Sequence, residues 1–274
     1  MNGQTQAPST KHAPWKDRLI HAGQFVLPFL VIAAVWELIV RVGWVSATAL
    51  PPPSAILQRA WELCTGEGLL WHHLGQSMVR LSIGYALAMG AGLVFGTILA
   101  MNRVLREMFS PVLSLLISVP TIAWVPVFLI TLGLGDRTVI AAVFLGGFFA
   151  IAYNTIRGIE MVDVNRIRAA QTMGARGIRL FSAVLLPGSS VSVLTGLRLG
   201  IGYSWRALVG GEMLSAMVRW GIGKMIYQAR FWNDVTVMFV GLMVIGLTGF
   251  LLDRLLIRWL ERATIERWGM VTER

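Results

Sequence analysis

Residues 168–190 read RAAQTMGARGIRLFSAVLLPGSS. Three arginines, three glycines and a proline stand here between apolar runs long enough to cross a bilayer. Two short amphipathic pieces can be read, at about 162–173 and 176–185, separated by Gly174 and Ala175. Glycine frees the backbone for a corner and leaves room for another surface to come close. Ala169 and Ala170 are small side chains that serve the same end. Pro187 has no amide donor and suits the first turn of a following helix. The stretch therefore reads as a short helix, a glycine corner, a second helix and a proline-started span.

Outward from this connector the chain is built for lipid. It is 55% hydrophobic and 14% charged, with a mean hydropathy of +0.66. A soluble domain carries about a quarter charged residues. An uncharged run of about 20 residues spans the hydrocarbon core, and such runs occur at 81–102, 108–135, 138–156 and, slightly short, 235–252. Residues 24–40 make a weaker first span, broken by Pro28 and Glu37, and 189–217 a less apolar one holding Arg198, Arg206 and Glu212. The expected fold is all-α integral membrane, with a tail at 1–22, a six-helix domain at 23–274 and a polar loop at 157–188. The alternative of a signal peptide cleaved after Ala49 is disfavoured by the long apolar stretch, Glu37 and the preceding polar tail.

Lys and Arg decide orientation. They gather in the N-terminal tail, in the 103–106 turn, in the 157–188 loop and in the C-terminal tail, and outnumber those of the opposite side. Both termini are therefore expected in the cytoplasm. The net charge of +10 is then a topology signal, not a nucleic-acid footprint, since no basic soluble face is present. On the far side, Ile56, Leu57, Ala60, Trp61 and Leu63 suit a helix along the outer surface. The segment 218–234 could dip back as a partial helix.

At this point the loop resembles a known one. AAQTMGARGIRLFSAVLLP, residues 169–187, is similar to the cytoplasmic EAA loop of ABC-importer permeases: Glu-Ala-Ala, three residues, Gly, nine residues, Ile-x-Leu-Pro. Ala169, Ala170 and Gly174 fall in register, and Val184, Leu186 and Pro187 close the pattern. The resemblance extends through TGLRLGIGYSWRALVGGEML and PTIAWVPVFLITLGLGD, and is closest to permeases for nitrate, taurine and aliphatic sulfonates. It implies a type I importer architecture in the inner membrane, working as a pair of permease copies. Two ATPase subunits would dock on a coupling helix, here Arg168, Ala169, Ala170, Gly174, Ala175 and Pro187, and an external solute-binding protein would deliver the solute. Two positions depart from the pattern. Arg168 replaces the Glu and would more naturally meet an acidic patch; Val191 replaces a second proline common in relatives. The plainer reading is a connector resting on lipid headgroups.

The chain encodes no ATP site of its own. Its nearest string to a phosphate-binding loop, WGIGKM at 220–225, lacks the first Gly and the Ser/Thr that G-x-x-x-x-G-K-[ST] requires. There is no H-E-x-x-H or G-x-S-x-G constellation. A non-enzymatic subunit without cofactor or metal is expected, the alternative being an ATP-independent channel or ion-coupled transporter.

Charges within spans cost about 2.5–3.5 kcal/mol on insertion scales and should face protein or water. At 100° per residue, Arg198 and Glu212 fall about 40° apart and Arg206 about 80° from Arg198, giving span five a polar side. Arg206 reads as a residue on an anion route, and Arg80 with Glu212 as an outer gate; either set could instead be structural ion pairs. The G-x-x-x-G spacings at 92–96 and 196–200 serve close packing, within one chain or between two. Pro120 and Pro126 should each kink span three.

Overall fold

The computed structural model describes residues 14–66 and 68–260. Among them the regular elements are helices: α1 (Pro14–Arg41), α2 (Pro53–Thr65), α3 (Leu69–Met101), α4 (Arg103–Ser118), α5 (Val125–Leu132), α6 (Asp136–Glu160), α7 (Val164–Thr172), α8 (Gly177–Leu180), α9 (Leu186–Leu214), α10 (Ile222–Phe231) and α11 (Val235–Leu260). A 3-10 turn at Thr121–Trp124 joins α4 to α5, and a π-helical turn at Phe181–Leu185 joins α8 to α9. The expected tail at 1–22 lies outside the described residues up to residue 13, and the C-terminal tail beyond 260 does so as well; α1 already begins at Pro14.

The centre is a three-helix slab in which α6 lies between α3 and α9. In lipid, helices gain nothing from hydrophobic burial against one another, so close van der Waals packing must hold them. Both G-x-x-x-G pairs supply it within the chain. On α3, a Cβ at Gly92 would lie 3.0 Å from Ile151, and one at Gly96 2.8 Å from the Ala152 carbonyl. On α9, a Cβ at Gly196 would lie 2.6 Å from Asn154 Cβ, and one at Gly200 2.9 Å from Ile151. Val139, Val143, Ile151, Tyr85 and Leu208 fill the slab between these ridges. Gly96→Ala should therefore lower thermal stability in detergent by about 1–3 kcal/mol, the usual cost of overpacking. Gly90→Ala, where a Cβ meets nothing within 4 Å, should leave the melting temperature unchanged.

Hydropathy leads one to expect six crossings. Among the described residues, four helices are long and apolar enough to cross a membrane (Leu69–Met101, Asp136–Glu160, Gly177–Leu214 and Val235–Leu255), or five if one bent pair counts as a span. The bent pair is the run read above as a single kinked third span: Arg103–Ser118 and Thr121–Leu132 meet at 94°. Pro120 causes the break. A residue before proline is pushed out of the helical region, and Val119 has φ −80°, ψ 120°. Pro126 adds no second kink, because it occupies the first turn of α5, where the missing amide costs nothing.

Pro187 does stand in the first turn of α9, as the sequence suggests, but helix also runs up to it. Gly177–Leu214 is one continuous apolar helix, so the second amphipathic piece runs straight into span five. Pro187 cannot donate to the preceding turn. The ladder widens there, with the Leu186 amide bonding to the Phe181 carbonyl five residues back. At the opposite end, α10 is a short helix whose Ile222, Met225 and Ile226 are buried with Ile56 and Ala60 of α2 and Val240 and Val244 of α11.

Candidate functional site

The connector between α6 and α9 is built from caps. The Asp163 carboxylate accepts the Asn165 amide at 2.9 Å and starts α7. At its end the Gly174 amide donates to the Gln171 carbonyl (3.0 Å) and the Ala175 amide to the Ala170 carbonyl (2.9 Å). This is a Schellman closure, which needs a left-handed residue at the turn. Gly174, at φ +86°, supplies it. Ala170 is buried, and Ile167 packs on the cluster of Ala100, Ile159, Val162 and Leu185. Arg168 and Ala169 point out, as do Met173 and Ile178, 83% and 79% exposed. Space around a Cβ at Gly174 is open to beyond 4 Å. Of the two alanines, then, only Ala169 is available to another surface; Ala170 anchors the helix. Pro187 shapes the π-turn.

At the other end of the slab, a polar knot joins α3, α6, α9 and the start of α10. Arg80 donates to Glu212 at 2.7 Å, to Asp136 at 2.8 Å and to the Trp220 carbonyl at 2.6 Å. Glu212, fully buried, also accepts from Ser77 at 2.8 Å and from the Gly223 amide at 3.0 Å. Ser77 in turn accepts the Ile222 amide at 2.9 Å. His73 Nδ1 lies 2.8 Å from the Gly221 carbonyl. A Cβ at Gly221 would run into the Glu212 carboxylate. Arg80 and Glu212, named together from the sequence, are thus brought together. Asp136, Ser77 and the 220–223 backbone complete a cluster that no local spacing announces.

Arg206 is placed differently. It lines a cavity of about 670 Å³ between α4, the 121–124 turn, α6 and α9, together with Tyr203, Phe149, Tyr153, Asn154 and Pro120. Its guanidinium lies 5.8 Å from the Tyr203 ring centroid. Among the described residues no carboxylate pairs with it. Arg198 does not line this cavity; it makes a two-pronged pair with Asp253 of α11, at 2.8 and 2.9 Å. Asp253 had a legible signal, as the one carboxylate in α11, because an ionised group in an apolar run needs a partner. Among the described residues no group of three or more His, Cys, Asp or Glu is placed to hold a metal ion.

The chain resembles known proteins in sequence and in fold. Residues 92–266, from the first glycine ridge past the loop and the last span, match the family described as binding-protein-dependent transport system inner membrane component. The chain is 31% identical over 227 residues to the taurine transport system permease protein TauC of Escherichia coli (strain K12), covering 81% of this chain and 82% of that protein. It is 27% identical over 238 residues to the nitrate import permease protein NrtB of Leptolyngbya laminosa, covering 84% and 83%. Its fold is similar to a chain of the MetNI methionine ABC transporter solved in inward-facing conformations, with a TM-score of 0.58 and 22% identity over 72% of this chain and 97% of that one. A family match over more than half the chain, joined to several apolar helices around a capped polar loop, makes this chain a member of the inner-membrane permease components of binding-protein-dependent ABC transport systems.

Proposed function

We propose that the chain is the transmembrane subunit of an ATP-driven importer that moves a small anion, such as nitrate, taurine or a sulfonate, inward by alternating access. Two copies, each with six crossings and cytoplasmic termini, would pair. Two ATPase subunits would dock on the 157–188 loops, and an external solute-binding protein would load the pathway. ATP binding favours the assembly in which the ATPases close. The loops, docked on them, bias the helices towards one of two accessible states, as any differential contact must.

The observation that carries the anion reading is Arg206. A cation in a span is costly unless it has a partner or water, and this one lines a cavity with no carboxylate partner among the described residues. A passing anion would supply the missing charge. Arg198 and Arg80, already held by Asp253 and by Glu212 and Asp136, serve better as structural pairs that keep α9 and the outer end in place. The test is flux in proteoliposomes holding both permease copies, the ATPase and the binding protein. Arg206→Gln should slow anion uptake on the order of tenfold, equivalent to about 1.4 kcal/mol, while assembly is unchanged. Unaltered flux would take Arg206 off the route. Flux that survives without ATP, or after deletion of residues 164–174, would favour the channel or ion-coupled alternative.

A further inference from the structure

A second cavity of about 260 Å³ lies between α4 and α6, towards the α7 end, and Tyr153 lines both it and the Arg206 cavity. The two share walls as well as a residue. On α6 the lining positions Gly146, Ala150, Tyr153, Arg157 and Glu160 recur at steps of three and four, which is one face of a helix. On α4, Arg106, Ser110, Ser114 and Ile117 do the same. At 1.5 Å per residue the α6 stripe from Gly146 to Glu160 runs about 21 Å, most of the way through a hydrocarbon core of about 30 Å.

The inner cavity holds two arginines around one shared carboxylate, Glu160. Arg106 pairs with Glu160 at 2.9 Å and also donates to the Ala100 carbonyl at 3.2 Å, so its head is fixed. Arg157 reaches the other Glu160 oxygen at 3.3 Å and remains 60% exposed. Its Nε donates to the Tyr153 hydroxyl at 3.3 Å, and its guanidinium lies 5.5 Å from that ring's centroid. Glu107, which also lines the cavity, is held by Arg103 at 2.7 Å. One positive charge is left over, and it belongs to the more loosely held arginine.

We propose that the route continues past Tyr153 to an inner anion station at Arg157 and Arg106, with Glu160 as the counter-ion that an arriving anion displaces. This rests on the reading of Arg206 as part of an anion pathway. The magnitudes favour displacement here and not at the opposite end. The Arg157–Glu160 contact, at 3.3 Å with the arginine 60% exposed, is worth about 0–1 kcal/mol, so an anion can take the place of Glu160 at Arg157 at little cost while the 2.9 Å pair with Arg106 holds. A buried pair such as Arg80–Glu212 costs about 3–5 kcal/mol to break, and no passing solute would be released from it. A station that binds weakly beside the exit suits delivery, and the Tyr153 ring, touching Arg157 and lining both cavities, separates it from the Arg206 chamber.

The competing account is that Arg106, Arg157 and Glu160 only staple α4 to α6 beneath a second copy. Reporter cysteines decide between them in the full transporter, with Cys64→Ser as background. Ser114→Cys should react faster with the anionic 2-sulfonatoethyl methanethiosulfonate than with its cationic trimethylammonium counterpart, each rate corrected to a free thiol. Arg157→Gln should lower that preference about five- to tenfold, Arg157→Lys should restore it, and Glu160→Gln should raise it. Equal rates at Ser114→Cys, no reaction there in the assembled protein, or a preference indifferent to Arg157 and Glu160 would each overturn the station. Ile117→Cys reports on the Arg206 chamber. Anion preference at Ile117→Cys that Arg206→Gln abolishes, without any at Ser114→Cys, would sink the inner station alone; absence of preference at both would sink the pathway reading with it.

Discussion

Gly174→Trp is expected to leave the chain inserted in the membrane while abolishing its association with the ATPase and, with it, ATPase stimulation by loaded binding protein. Two effects combine. A side chain at φ +86° bears the left-handed penalty, about 1–2 kcal/mol, and loosens the Schellman closure that ends α7. The second effect is larger for function. Apart from its two chain neighbours, no described atom lies within 4 Å of the Cβ position, so the indole meets no packed neighbour and adds bulk to the exposed corner beside Met173 where a partner would seat. Gly174→Ala and Gly174→Asn separate the two. Alanine retains the strain without the bulk, and asparagine tolerates the left-handed region; both should keep most of the stimulation. Co-purification and stimulated hydrolysis measure the outcome. Normal stimulation in Gly174→Trp would refute docking at this corner.

Glu212→Ala is the other large effect, and it acts on the fold. The carboxylate is fully buried and is the common acceptor for Arg80, Ser77 and the Gly223 amide. Removing it leaves a guanidinium in the slab with only Asp136, itself 61% exposed, as counter-charge. Losing one partner of a buried pair costs about 3–5 kcal/mol, because the other charge stays desolvated. The 220–223 backbone loses its anchor to α9 at the same time, so α10 should detach before the slab melts. Thermal unfolding in detergent should shift strongly, and limited proteolysis should cut first between residues 215 and 223. Glu212→Gln, which keeps an acceptor for Ser77 and Gly223 but not the charge, should fall between the two. An unchanged melting temperature in Glu212→Ala would mean that Arg80 finds full compensation elsewhere.

Much of this molecule can be read from short stretches. Hydropathy over about 20 residues marks α3, α6, α9 and α11 as spans, because partition into hydrocarbon depends on a segment's own side chains and hardly on its neighbours. The spacing of Ala169, Ala170, Gly174 and Pro187 carries the connector for a related reason: caps and helix turns close over four or five residues, and the Schellman bonds of Gly174 and Ala175 join residues that close in the chain. Composition excludes a soluble domain on the same local grounds.

Partnerships across the chain were legible only in part: Arg80 with Glu212 could be named together and Asp253 announced that it needs a partner, but that Arg198 meets Asp253 and Arg106 meets Glu160 follows from how α9, α11, α4 and α6 pack. Nothing in helical periodicity says which of several charged residues will find a carboxylate and which, like Arg206, will face a cavity. The 94° break at Pro120 is intermediate. Proline announces a kink through its missing amide, but Pro126 carries the same chemistry and leaves its helix unbroken, since the consequence depends on where each helix starts. Local propensity and transfer free energy are sums over near neighbours; ion pairing, cavities and register between helices are set by contacts between segments far apart in the chain, and these exist only once the slab has formed.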